Sequence, residues 1–147
     1  MIKNDNSLYQ KDFYAWTIKN AELLKHGKFN EIDVENIAEE IESMGRREKR
    51  QLVSRLSVLL AHLLKWQFQP KKRTRSWTLT IKEQRRQLHS LLKESPSLNG
   101  YLKENYKEAY EDAIIIASDQ TGILEYDFPD RCSFSFEDAL NLEYLPD

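Results

Sequence analysis

Residues that form turns and disulfides are scarce in this sequence. Of its 147 residues, one is cysteine, four are proline and four are glycine. A lone Cys132 cannot form an internal disulfide, which excludes a disulfide-stabilised secreted domain. A many-stranded β-protein needs frequent turn residues, and no hairpin signal is present. The scarcity of these residues favours a helical protein.

Long apolar runs are missing as well. No stretch reaches the roughly 18 apolar residues that a membrane helix requires. The N-terminal segment MIKNDNSLYQKDFY is polar and lacks the apolar region of a signal peptide. We therefore expect a cytoplasmic protein that does not associate with a membrane.

The usual sequence signatures of catalysis are absent. The glycines, at positions 27, 45, 100 and 122, are isolated, so there is no phosphate loop or dinucleotide fingerprint. No glycine elbow surrounds a serine, and no histidine lies near Cys132 in the sequence. The sequence leans away from an enzyme and predicts no cofactor.

Apolar residues at helical spacing dominate what remains. Hydrophobic residues make up 40% of the chain and charged residues 31%, which fits a single helical domain over residues 1–147. We predict an all-α bundle of about five helices, with one long central helix around residues 34–68 and a short C-terminal helix. The expected helix boundaries are a capping box at Ser7–Gln10, glycines at 27 and 122, Asp33, Pro70, Thr74 or Ser76, and Ser135.

The central helix carries an apolar ladder that we expect to form the core. Its members recur at helical spacing: Ile37, Ile41, Met44, Leu52, Leu56, Leu59, Leu63 and Trp66. Gly45 interrupts the stretch, but one interior glycine costs a helix only about 1 kcal/mol. The pattern therefore favours a nearly continuous helix, and a turn at Gly45 that folds the two pieces together is the alternative.

Charge is distributed unevenly along the chain. Residues 1–45 hold five Lys or Arg and nine Asp or Glu, residues 46–86 hold thirteen and two, and residues 87–147 hold four and thirteen. The net charges are −4, +11 and −9, which together give the −2 of the whole chain. Basic and aromatic residues mixed within 65–86 are typical of nucleic-acid contact, and the candidates are Arg73, Arg75, Trp77, Arg85 and Arg86.

The basic segment also has a structural interpretation. The acidic segments on either side can neutralise it, within the bundle or across a dimer, and long basic side chains can cover apolar surface. A nucleic-acid-binding domain is usually basic overall, whereas this chain has a pI near 6.0. Both interpretations stay open at the level of sequence.

Three residues suggest a metal site by their chemistry alone. Glu39 and Glu42 share a helix face, and His62 lies further along the same predicted helix. The Glu-x-x-His signature of helical metal sites is absent. In a continuous helix Glu42 and His62 are about 30 Å apart, so a site needs a turn at Gly45 or a symmetric dimer. A metal-dependent hydrolase is accordingly the second alternative, and a solvated acidic face with an ordinary helix histidine is the simpler interpretation.

Several long blocks of the sequence resemble one known family. They are LYQKDFYAWTIKNAELLKHGKFNEIDVENIAEEIESMGRREKRQL, LLAHLLKWQFQPKKRTRSWTLTIKEQRRQL, SPSL and EAYEDA. Together they resemble the bacterial domain-of-unknown-function family 29 from about Leu8 to Pro146. The resemblance implies an all-helical protein of uncharacterised function and assigns no catalytic residue. The matching positions are Trp16, Glu39, Glu40, Glu42, Gly45, His62, Trp66, Pro70, Arg73, Trp77, Gln84 and Arg85.

The sequence favours a small helical interaction module that self-associates, or binds a helical protein partner, without catalysis. Large aromatic side chains and separated charges are suited to burying surface against another protein. Nucleic-acid binding through residues 65–86 is the first alternative to this function.

Overall fold

The computed structural model describes the backbone from Asn6 to Asp147 and the side chains from Leu8 onward. Its helices are α1 (Asn6–Lys11), α2 (Phe13–Lys25), α3 (Val34–Phe68), α4 (Arg75–Glu94), α5 (Leu98–Glu104), α6 (Tyr106–Thr121) and α7 (Phe136–Leu140). Short 3-10 turns cover Pro70–Lys72 and Glu125–Asp127. These described residues contain no strand, so the all-α class with a long central helix and a short C-terminal helix is confirmed.

The chain divides into two compact units, Met1–Arg47 and Glu48–Asp147. The first contains α1, α2 and the beginning of α3, and the second contains the remaining helices. The prediction of a single domain is not tested by this division and stays a prediction.

Two of the five predicted helices, those expected to end at Gly27 and Gly122, are each split by a short polar residue. Asp12 separates α1 from α2, because its carboxylate accepts a hydrogen bond from the Ala15 amide at 3.0 Å. Asn105 separates α5 from α6, and its side-chain amide donates to the Tyr101 carbonyl at 2.8 Å. Such side chains compete with the helical hydrogen bonds of the backbone. Each split divides one predicted helix into two.

Most of the predicted helix boundaries are confirmed. Thr74 accepts from the Trp77 amide at the start of α4, and Ser135 accepts from the Asp138 amide at the start of α7. Gly27 and Gly122 follow α2 and α6 with φ of 69° and 80°, a left-handed conformation that suits glycine. Helix α3 ends two residues before Pro70 and continues through Gly45. The capping box predicted at Ser7 lies outside the described side chains.

The core of the second unit is built around the later part of α3. Leu52, Leu56, Leu59 and Leu63 are fully buried, as the apolar ladder predicts. They belong to a cluster that includes Ile81 and Leu88 of α4, Leu102 of α5, and Ala109, Tyr110, Ala113 and Ala117 of α6. This cluster accounts for most of the apolar burial in the unit.

A polar network organises the first unit. The Trp16 indole donates to the Asp33 carboxylate at 2.9 Å, and the Asp33 amide donates to the Asn20 side chain at 2.8 Å. The same carboxylate accepts from the Asn36 amide at 3.4 Å, so Asp33 caps α3 as predicted. Asp33 therefore joins α2 to the start of α3, and every buried polar group of this network has a partner.

Candidate interaction surface

Helix α3 presents an exposed apolar face within the first unit. We call it the α3 stripe, and its members are Val34, Ala38, Ile41, Met44 and Gly45, all of which are exposed. Val34 and Ile41 are each 59% exposed and Met44 is 51% exposed. The expectation that Ile41 and Met44 lie in the core is therefore wrong for this structure.

The other face of α3 in this unit is already covered. Tyr9, Phe13 and Trp16 form an aromatic cluster with ring centroids 4.8 to 5.7 Å apart. The Tyr9 hydroxyl donates to Glu40 at 2.6 Å, and Trp16 donates to Asp33. Positions 33, 36 and 40 share one helix face, whereas 34, 38, 41 and 45 share another, and Met44 lies at the border between the two. Helices α1 and α2 thus occupy their side of α3 and leave the α3 stripe open.

The charge beside the stripe changes sign at Gly45. Glu35, Glu39 and Glu42 precede the glycine, while Arg46 and Arg47 follow it directly. One pair already interacts within the chain, since Arg46 approaches Glu39 at 2.8 Å with both side chains more than half exposed. The first unit therefore offers an apolar strip with an acidic and a basic end.

Two of the five candidates for nucleic-acid contact, Arg73 and Arg85, donate to backbone carbonyls. Arg85 is 2% exposed, and its Nε donates to the Ala139 carbonyl at 2.8 Å. Burial lowers the pKa of this guanidinium. Arg73 stacks on the Trp66 ring at 4.6 Å and donates from Nε to the Trp66 carbonyl at 2.8 Å. Arg85 is therefore buried and not accessible to a nucleic acid, and Arg73 already uses its Nε and one face of its guanidinium in contacts with Trp66.

The other three candidates for nucleic-acid contact lie nearer to solvent. Arg75 is exposed at the first turn of α4. Arg86 is exposed and makes a two-pronged ion pair with Glu83 at 2.7 and 2.9 Å. Trp77 is half-buried, with the Lys65 ammonium 4.8 Å from its ring centroid. The structure therefore does not gather the five candidates on one surface, and nucleic-acid binding stays a prediction.

The match to known proteins is at the level of a family. The model of the domain of unknown function DUF29 matches residues 8–145 of the chain. The chain belongs to the DUF29 family. Neither the curated proteins nor the solved structures gave a match. No helix in the described part of this DUF29 chain is long and apolar enough to cross a membrane.

Two of the three proposed metal ligands of this DUF29 chain, Glu39 and His62, have other partners. Glu39 pairs with Arg46, and the His62 Nδ1 donates to the Val58 carbonyl at 2.9 Å. Burial lowers the pKa of His62, and the charge of Lys65 lowers it further against the effect of the Val58 bond. From Asn6 to Asp147, no group of three or more His, Cys, Asp or Glu is placed to hold a metal ion. The metal site stays a prediction without support from these contacts.

Sequence reasoning missed a buried lysine. Lys65 of the DUF29 chain is 8% exposed, and its ammonium donates to the Gln120 side chain at 2.8 Å while it faces the Trp77 ring. Burial lowers the pKa of this amine. The sequence did show a single lysine at the end of the apolar run of α3, which is a sign of a buried amine. It could not show the partners of that amine, Gln120 of α6 and Trp77 of α4, because they lie far along the chain.

Proposed function

We propose that this DUF29 chain is a helical interaction module that self-associates through the α3 stripe and acts by binding. One contrast carries the proposal. In the second unit α3 buries its leucines completely, whereas in the first unit Val34 and Ile41 remain 59% exposed. An exposed apolar strip with a charged border is typical of a protein interface.

The charge pattern favours a second copy as the occupant. Because the border changes sign at Gly45, two stripes that cross antiparallel there would set acidic turns against basic ones. Parallel pairing would oppose like charges. An antiparallel crossing of identical helices is a two-fold, self-complementary contact, the commonest arrangement among homo-oligomers.

Small residues would let the two helices approach closely. Ala38 and Gly45 are seven residues apart and lie on the same side of the stripe. A Cβ added at Gly45 would meet nothing within 4 Å, so the chain's own packing does not require glycine there. A partner helix that crosses at this point is a physical reason for a residue that weakens an isolated helix.

The contact should be reversible. Completing the burial of Val34, Ile41 and Met44 is worth about 1 kcal/mol each, or about 6 kcal/mol for two copies. Association costs an estimated 4 to 15 kcal/mol in lost freedom, so these contacts leave a net gain of about 2 kcal/mol at most. A millimolar dissociation constant corresponds to about 4 kcal/mol. We therefore expect a weak dimer with a dissociation constant of about a millimolar or higher.

The test is sedimentation equilibrium from about 10 μM to 2 mM protein, a range that reaches a millimolar dissociation constant. We expect the wild type to pass from monomer to dimer and Ile41→Glu to stay monomeric, because a buried carboxylate would lack a partner. Ile115→Glu is the matched control, since Ile115 is a similarly exposed isoleucine on α6. It should dimerise like the wild type.

A wild-type chain that remains monomeric throughout this range would rule out self-association. A dimer that survives Ile41→Glu but is lost in Ile115→Glu would move the interface to α6. Circular dichroism of both variants verifies that the helices are retained.

A further inference from the structure

Helix α4 carries a line of cations on its outward face. Arg75, Lys82, Arg86 and Lys93 are all exposed and recur at helical spacing, with Leu79 exposed between the first two. We call these five residues the α4 ridge. Its four cations extend over about 27 Å at 1.5 Å per residue. Glu83 is the acidic residue beside the middle of the line, and it is held by Arg86.

The N-terminal half of α4 has one open flank. A depression of about 470 Å³ on that flank is lined by residues of α4 itself: Arg75, Ser76, Leu79, Thr80, Glu83 and Gln84. A depression of about 390 Å³ on the other flank is lined by α4 and by the C-terminal segment, with Thr78, Lys82 and Leu142 among its residues. The first flank is therefore free to approach a ligand.

We infer that the α4 ridge binds double-stranded nucleic acid by entering a groove of the duplex. A B-form major groove is about 12 Å wide and admits one α-helix. Because the cations of the α4 ridge lie in one line, they would contact phosphates along one wall of the groove. Ser76 and Thr80 lie on the open flank beside that line, where their hydroxyls can bond to base edges.

An acidic surface of a second copy fits the ridge less well. Glu108 and Asp112 line a groove of about 550 Å³ in the same unit, which offers a concave acidic rim. Arg50 lines that groove too, so an incoming α4 would meet a like charge. A duplex presents phosphates alone along both walls, and it is therefore the better complement.

The experiment measures fluorescence anisotropy of a labelled duplex of about 20 base pairs, long enough for the whole ridge. The variant replaces Arg75, Lys82 and Lys93 by alanine and keeps Arg86 with its partner. Its control replaces Lys25, Lys28 and Lys107, three exposed lysines outside α4, and so changes the net charge equally. If the ridge variant loses helicity, Lys82→Glu alone provides the same test.

Four phosphate contacts predict a slope of log affinity against log salt near −3.6, or about a 150-fold loss between 50 and 200 mM salt. The ridge variant should bind at least tenfold more weakly with a shallower slope, while the control stays within about twofold of the wild type. Equal losses in both variants would show a net-charge effect and overturn the inference. Absence of duplex binding would also overturn the inference. Binding of the chain to anionic phosphatidylglycerol vesicles instead would indicate a lipid surface as the ligand, and salt-sensitive self-association lost in the ridge variant would indicate a second copy.

Discussion

Arg85 heads the fully buried side chains by volume, and its charge has no carboxylate beside it among the contacts described. Its guanidinium is held by carbonyl groups at the end of α7, those of Ala139 at 2.8 Å and Asp138 at 3.5 Å. The last carbonyls of a helix lack partners within that helix and carry partial negative charge. Arg85 thus supplies hydrogen-bond donors to the last carbonyls of α7, and these carbonyls compensate for the burial of its charge.

Neighbouring arginines should therefore differ sharply in their effect on stability. We expect Arg85→Ala to lower the free energy of unfolding by about 3 kcal/mol, because it leaves a cavity and removes the side-chain donor to the Ala139 carbonyl. Arg86→Ala is the matched control, and it removes only an exposed ion pair with Glu83. It should leave stability unchanged within error. Urea denaturation measures both, and a similar small loss in each would refute the structural role of Arg85.

For single residues, the helix caps could be predicted from the sequence, and contacts between residues far apart in the chain could not. The caps at Asp33, Thr74 and Ser135 were identified because each acts on an amide three residues away. Arg85 and Arg86 look alike in sequence. What separates them is the Ala139 carbonyl, 54 residues further along the chain.

Helix α3 shows what periodicity can and cannot indicate. Its predicted span around 34–68 is confirmed, because Asp33 and Pro70 mark its ends and one glycine does not stop it. The pattern also located the apolar face correctly from Leu52 to Leu63. It could not show that Ile41 and Met44 stay uncovered, since a period identifies a face and not the element that packs on it.

Gly45 provides a test of this helix alone. In the monomeric Ile41→Glu background, Gly45→Ala should raise the free energy of unfolding by about 0.5 to 1 kcal/mol, because alanine loses less backbone entropy in a helix. The added Cβ meets nothing within 4 Å. Gly100→Ala in α5 is the control, since its Cβ is equally free. A loss of stability specific to Gly45→Ala would mean that the residue is packed more closely than the structure shows.

At the scale of the whole molecule, the two units should differ in stability. Among the described side chains of the first unit, Trp16 is the buried large hydrophobic residue, whereas the second unit buries an extended cluster. Units with little apolar burial open more often.

Hydrogen exchange would measure this difference. Amides of α2 should exchange at least tenfold faster than those of Leu56–Leu64 in dilute protein, because opening the first unit exposes less apolar surface. The ratio of the two exchange rates should fall as protein concentration rises, because self-association through the α3 stripe stabilises the first unit, which carries the stripe. Ile41→Glu should abolish the concentration dependence. Equal protection of the two regions at low concentration would contradict the expected difference.

The bonds of Arg85 also help to fix how α4 is rotated about its own axis, together with the burial of Ile81 and Leu88. His89, one turn later on the same side, donates from Nε2 to the Leu140 carbonyl at 2.7 Å. Successive residues point about 100° apart around a helix, so both bonds form in one rotational setting only. That setting selects which cations reach solvent. A change in α7 that displaced these carbonyls would remove two bonds that support this setting, alongside the burial of Ile81 and Leu88, and would weaken the α4 ridge without altering any residue on it.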